Sequence, residues 1–220
     1  MNIKRKKFNV SLLGESEVGK TCLVQVLTGI GFNEKNLSTI GMDTFLDKAE
    51  FDGNEYKFKI FDTNGQERYN SITDTTVKIA DGFLLVFSVD KKQSFEKIQH
   101  WIEIIDNVVD IRTKAVILVG NKIDKQNREV TNLEAMNFAK ERKMEYFETS
   151  AKTGFQVKEV FDKIYQGIYK LNMNKTNSDE NKKKDEINSN NNNNEQNSNQ
   201  GNIEINKDTH KKNKEKNKCC

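Results

Sequence analysis

The sequence predicts an α/β fold: a doubly wound, six-stranded, mostly parallel sheet with one antiparallel strand. Three observations carry this. Between residues 8 and 171, short apolar runs alternate with segments of helical period. One pair of runs flanks Asp52-Gly53-Asn54, and the D-G dipeptide marks a hairpin, hence the antiparallel strand. A loop with glycine at each end, Gly14-Glu15-Ser16-Glu17-Val18-Gly19-Lys20-Thr21, joins the first strand to the first helix.

Taken in order, Phe8 to Leu13 is the first strand, and Cys22-Leu23-Val24-Gln25-Val26-Leu27 follows the loop as helix. Cys22 reads as a small core residue. Thr28 to Asn36 is loop, because Gly29, Gly31 and Asn33 break any period. Thr44 to Phe51 and Tyr56 to Phe61 are the hairpin strands. Gly82 to Ser88 is a continuous apolar run, as expected of a strand covered on both faces. Phe95, Ile98, Trp101, Ile102 and Ile105 fall at helical spacing, and Trp101 is expected to pack that helix onto the sheet. Ala115 to Gly120 is another buried strand. Thr131-Asn132-Leu133-Glu134 is a capping box opening a helix. Tyr146 to Glu148 is a short last strand. Phe155, Val160, Phe161, Ile164 and Ile168 make an amphipathic final helix.

The glycine loop has the spacing G-x-x-x-x-G-K-T, the P-loop pattern. Its glycines let the backbone from Gly14 through Ser16, Glu17, Val18 and Gly19 to Lys20, Thr21 and Cys22 bring successive N–H groups to a phosphate. The helix behind adds unpaired N–H groups and a positive dipole end. Lys20 supplies a cation to the β/γ-phosphates, and the Thr21 hydroxyl can ligate Mg²⁺. The remaining motifs follow strands, so they fall on the carboxyl edge of the sheet, where ligands bind. Asp62 ends a strand and suits the Mg²⁺ shell. Gly65 offers an N–H to the γ-phosphate, and Gln66 can orient a water for in-line attack. Asn121-Lys122-Ile123-Asp124 follows a buried strand, and a carboxylate there can accept two hydrogen bonds from guanine but not from adenine. Read as buried, Asp124 would then disfavour adenine by several kcal/mol, on the order of other polar mismatches. Ser150-Ala151-Lys152 follows the last strand, where a backbone N–H reaches guanine O6.

Composition bounds the rest. The chain has 220 residues, enough for one folded domain, and Lys+Arg 36 against Asp+Glu 33 gives a net charge of +3. That balance makes nucleic acid an unsuitable main partner. No run approaches membrane-spanning length. Residues 1–171 read as the folded domain. Residues 172–220 are rich in Asn and Lys and lack aromatic residues, and they read as a disordered tail. As a coil the tail spans roughly 35–40 Å r.m.s.. It ends in a lysine-rich stretch followed by Cys219-Cys220, which reads as a membrane anchor.

Between residues 8 and 171, G-E-S-E-V-G-K-T, S-T-I-G-M-D, D-T-N-G-Q-E-R-Y, N-K-I-D and E-T-S-A-K together resemble the small Ras-superfamily GTPases, and most of all the Rab family. The segment Ser94 to Ile102 resembles the third helix of that family. The resemblance implies the small G-protein version of the P-loop NTPase fold and a slow, Mg²⁺-dependent hydrolysis of GTP to GDP and phosphate. It implies that Thr39 ligates Mg²⁺ and senses γ-phosphate, that Phe32 packs on guanine, and that Gln66 serves hydrolysis. It implies double prenylation at Cys219 and Cys220 and residence on the cytoplasmic face of an intracellular membrane, with a cytosolic pool. Vesicle-mediated protein transport is the implied role. The implied partners are effectors, an exchange factor, a GTPase-activating protein and a prenyl chaperone of the GDI or escort type.

The chain also departs from that pattern. Asn64 stands where the family usually has Ala, and Glu17 where it has a small or uncharged residue. A carboxylate near phosphates is unfavourable unless turned to solvent or to lysine. Thr44, Phe61 and Thr76-Val77 replace aromatic residues and are expected on the surface that selects effectors. Asn64 and Glu17 motivate an alternative, a nucleotide-dependent effector-binding module with little GTP turnover. An ATP-using P-loop enzyme is disfavoured by Asn121 and Asp124.

Overall fold

The structure, a computed structural model, describes residues 6–33, 42–63 and 70–174. Its sheet has six strands in the order β2-β3-β1-β4-β5-β6. These are β1 (Lys7–Leu13), β2 (Met42–Phe51), β3 (Asn54–Thr63), β4 (Gly82–Ser88), β5 (Ala115–Asn121) and β6 (Glu145–Glu148). Strand β2 runs antiparallel to β3, and the other pairings are parallel. The helices are α1 (Lys20–Leu27), α2 (Asn70–Ile79), α3 (Lys92–Glu96), α4 (Ile98–Asp106), α5 (Asn132–Glu141) and α6, residues 157–174.

Two apolar clusters lie on the two faces of the sheet. One joins Val10, Leu12, Leu84 and Val119 to α1 and α6. The other joins Leu13, Phe83, Leu85 and Leu118 to α4 and α5. Alternate residues of one strand feed both clusters, so β4 is buried along its whole length. Trp101 is 1% exposed and packs α4 onto the sheet as expected. Burial of each such side chain contributes about 1.5–3 kcal/mol. The N-cap half of the expected capping box forms: the Thr131 hydroxyl accepts the Glu134 backbone N–H at 3.2 Å, while the Glu134 carboxylate pairs with Lys92.

Four details differ from the sequence reading. The hairpin is longer, because Asp52 and Gly53 form a two-residue turn with φ of 49° and 69°, and pairing begins at once with Phe51 opposite Asn54. The third helical segment is split at Lys97 into α3 and α4. The helix α2 was not read from sequence, since Asn70 to Ile79 is rich in Ser, Thr and Asp and poor in apolar residues. Phe155 is outside α6 and 50% exposed, because residue 155 bridges back to Ser150; Val157 begins the buried stripe instead.

The hairpin is fastened to α6 by aromatic contacts and two phenol–carboxylate bonds. Phe58 stacks on Tyr165 with centroids 3.9 Å apart, and Phe51 on Tyr169 at 4.7 Å. The Tyr165 hydroxyl donates to Asp47 at 3.0 Å, and the Tyr169 hydroxyl to Asp52 at 2.6 Å. Burial, then the Asp47 carboxylate, push the Tyr165 phenol above its ordinary range, so it stays a donor. Tyr165→Phe keeps the stack and deletes the donor. It should cost about 1 kcal/mol, a fall of roughly 2–4 °C in the thermal midpoint. An unchanged midpoint in a calorimetric scan would show that Asp47 is satisfied by water instead.

Candidate functional site

The phosphate loop is shaped by what it must pass. Gly14 has φ of 145°, and a Cβ there would lie 2.0 Å from the Val86 carbonyl oxygen, so the loop rests on β4. Gly19, at φ 96°, precedes α1, and its Cβ would lie 2.5 Å from the Asn121 amide nitrogen. Only glycine allows either approach. Glu17 takes the left-handed conformation, φ 66°, and is exposed, so its carboxylate is turned to solvent. That is the arrangement under which a carboxylate is tolerated beside a phosphate site.

Lys20 opens α1 with its side chain buried. Its ammonium donates to the carbonyls of Gly14 at 2.7 Å and Glu15 at 2.9 Å, so it folds back along the loop. Burial pushes its pKa down to about 8, against the opposing pull of Asp62 and Glu15. The next residue, Thr21, donates its hydroxyl to Asp62 Oδ2 at 2.6 Å. Asp62 is wholly buried near the end of β3. A hydroxyl and a carboxylate thus meet beside the phosphate loop, a hard-oxygen pair whose chemistry fits a small divalent cation.

Asn121 joins three segments. Its amide nitrogen donates to the Val18 carbonyl at 2.9 Å. Its amide oxygen accepts from the Thr149 hydroxyl at 3.1 Å and the Ala151 backbone N–H at 3.2 Å. Lys122 turns the chain with φ 67°, and Asp124 Oδ1 then accepts from the Ser150 hydroxyl at 2.6 Å. The same hydroxyl accepts from the Thr153 N–H at 3.1 Å. Thr149, the residue after β6, is a further site residue that the sequence reading does not single out; it is wholly buried, and its place within E-T-S-A-K directly after a strand is the signal that marks it.

The structure therefore brings together residues 14–22, Asp62, Asn121, Lys122, Asp124 and residues 150–152 at one edge of the sheet. Cys22 is half-buried against the core, Lys152 is exposed, and Phe32 is 38% exposed in the segment after α1. Asp124 is exposed rather than buried, because it lies beyond the strand end, so protein burial alone does not enforce its selectivity. Thr39, Asn64, Gly65, Gln66, Cys219 and Cys220 lie outside the described residues. Of the three departures expected on the effector-selecting surface, only Thr44 is exposed. Phe61, Thr76 and Val77 are 2%, 1% and 0% exposed, drawn inward near the end of β3 and on the buried side of α2.

Comparison with known proteins agrees with this geometry. A family model described as "Ras family" matches residues 9–170. The chain is 36% identical over 159 residues to "Ras-related protein Rab-18-B" of Danio rerio, covering 72% of this chain and 78% of that protein. It is 37% identical over 158 residues to "Ras-related protein Rab-15" of Homo sapiens, covering 71% and 74%. It is 36% identical over 162 residues to "Ras-related protein Rab-13" of Rattus norvegicus, covering 73% and 79%.

Asn121→Ala removes three buried hydrogen bonds and should cost about 2–4 kcal/mol in urea unfolding. Gly19→Ala displaces the same amide, so the two changes should be sub-additive in a double-mutant cycle. Additive costs would mean that Gly19 and Asn121 act separately.

Proposed function

The chain belongs to the Ras family as a Rab-type small GTPase that hydrolyses GTP, and on that premise we propose that it is a switch in vesicle-mediated transport, holding effectors at a membrane while GTP is bound. The observation that carries the reading is the Asn121 side chain, which ties the phosphate loop to both loops suited to reading the base. In this reading residues 14–22 hold the phosphates through backbone N–H groups, and Lys20 supplies their cation. Asp124 accepts from the guanine edge, the backbone of residues 150–152 faces its carbonyl, and Phe32 packs on its ring. Thr21, Thr39 and Asp62 would hold Mg²⁺, which when bound neutralises charge developing on the phosphates. Gly65 and Gln66 would meet the γ-phosphate and the attacking water. Loops that contact the γ-phosphate are ordered by GTP and released on hydrolysis.

The expected tail begins later than residue 172, because α6 continues through residue 174; residues 175–220 would serve as the tether, with Cys219 and Cys220 carrying two prenyl chains, enough for stable anchoring. An exchange factor, an activating protein and a prenyl chaperone complete the cycle. The reading with little turnover loses one of its two supports, because Glu17 faces solvent; Asn64 remains its basis.

Gln66→Leu should keep GTP binding and lose activator-stimulated hydrolysis by ~10³–10⁵-fold in single-turnover assays. Unchanged stimulated turnover would remove the role assigned to Gln66. In the same assay, equal rates for the natural chain and Asn64→Ala would show that Asn64 is tolerated. Hydrolysis by Asn64→Ala alone would favour the low-turnover reading. Cys219→Ser with Cys220→Ser should move the protein to the soluble fraction of cells; pelleting with membranes would overturn prenyl anchoring.

A further inference from the structure

The outward face of β1, β3 and β2 carries a line of like charges. Lys7 of β1 pairs in register with Lys57 of β3, and Lys57 with Lys48 of β2. Paired residues point to the same face, so three lysines stand side by side across three strands, roughly 4.8 Å apart at the backbone. All three are exposed. Two residues along β3, Lys59 is exposed beside Phe61, its ammonium 5.0 Å from the ring centroid. Opposite Lys59 is Leu46, 74% exposed.

Like charges directly opposite one another across strands oppose pairing. Protection of a free sheet edge accounts for Lys48, which is on edge strand β2. It accounts equally for Lys7, where β1 has no β4 partner because that pairing begins at Val10. It does not account for Lys57, which stands between the two on interior strand β3. The Lys48–Glu55 ion pair, at 3.1 Å with both side chains more than half exposed, offsets little. The row is thus kept against the preference of the sheet.

We propose that this row docks an acidic polypeptide segment of a partner protein, with glutamate or aspartate side chains on Lys7, Lys57 and Lys48 and an apolar side chain on Leu46. The inference rests on the partner-recruiting role proposed above and names the chemistry of that partner. A polypeptide fits better than an anionic membrane because Glu50 and Glu55 face each other on the same side of the hairpin, one pair beyond Lys48 and Lys57. A planar anionic surface resting on the lysines meets these carboxylates as well, whereas a narrow segment follows the row and avoids them.

The test uses the full chain loaded with GTP and a short fluorescent peptide of glutamates interrupted by leucine. Its glutamine counterpart and phosphatidylserine vesicles are run in parallel. The glutamate peptide should bind roughly tenfold more tightly than the glutamine peptide. The triple change Lys7→Glu, Lys48→Glu and Lys57→Glu should abolish the preference. Lys140→Glu with Lys143→Glu and Lys170→Glu, on α5, just after it and on α6, makes the same charge change and should leave the preference intact. No preference, an equal loss in the α5–α6 control, or row-dependent binding of vesicles without peptide would overturn the proposal. Lys57→Glu alone should raise the thermal midpoint by about 1–3 °C, because repulsion becomes attraction; a lower midpoint would show that the row costs the sheet nothing. GTP turnover is read on each sample. Failed peptide binding with normal turnover removes only this inference, and row-dependent binding by a protein that does not hydrolyse GTP removes the switch reading while supporting this one.

Discussion

The site depends on one buried amide. Asn121 is 1% exposed, and its donor and acceptor ends are both committed, to the Val18 carbonyl on one side and to Thr149 and Ala151 on the other. A carboxamide alone among short side chains presents a donor and an acceptor a few ångströms apart in one rigid plane. An aspartate in its place would set a carboxylate against the Val18 carbonyl, and a leucine would leave three polar groups buried without partners, each costing about 1–3 kcal/mol. The glycine at position 19 follows from the same contact, since the amide occupies the space a Cβ would need.

A second constraint acts through Lys20. Its cation is removed from water, and burial alone disfavours charge there. Two carbonyls of the loop and the carboxylate of Asp62 restore part of what water supplied. The same carboxylate accepts the Thr21 hydroxyl, so consecutive residues of one helical turn are held by one acid from β3. The parallel pairing of β1 with β3, which puts Leu12 beside Asp62, places that acid at the loop. Topology and charge therefore solve one problem together: the strand order puts the acid where the lysine needs it.

Much of this was legible in the sequence because the motifs are short and their placement is dictated by the sheet. A residue that ends a parallel strand lies at the ligand edge whatever the details of packing. That rule puts Asp62 and Asn121 at one edge with the glycine loop, and the spacing and order of the motifs along the chain assign their roles. What was not legible depended on contacts between segments distant in the chain. Phe155 sits at a helical spacing from buried residues, yet the bridge from its carbonyl to Ser150 N–H holds it outside α6. Helix α2 is too polar to show a period. The burial of Phe61 and Val77 is set by how β3 and α2 meet the sheet, and residue type does not reveal it. The solvent exposure of Asp124 follows from the left-handed turn at Lys122, a conformation that no local residue preference announces.

The hairpin shows how one element serves two ends. Its inner face is locked to α6 by stacked rings and by Tyr165 and Tyr169, so its position relative to the final helix is fixed. Its outer face carries the lysine pair Lys48 and Lys57, which the sheet by itself would disfavour. The firm inner contacts make the outer mismatch tolerable. A charge row on a loosely held two-stranded ribbon would splay it, because an isolated hairpin is marginal in water. Fastened to β1 on one edge and to α6 beneath, the ribbon can present like charges in a fixed row, and fixed spacing lets such a row distinguish one acidic partner from another.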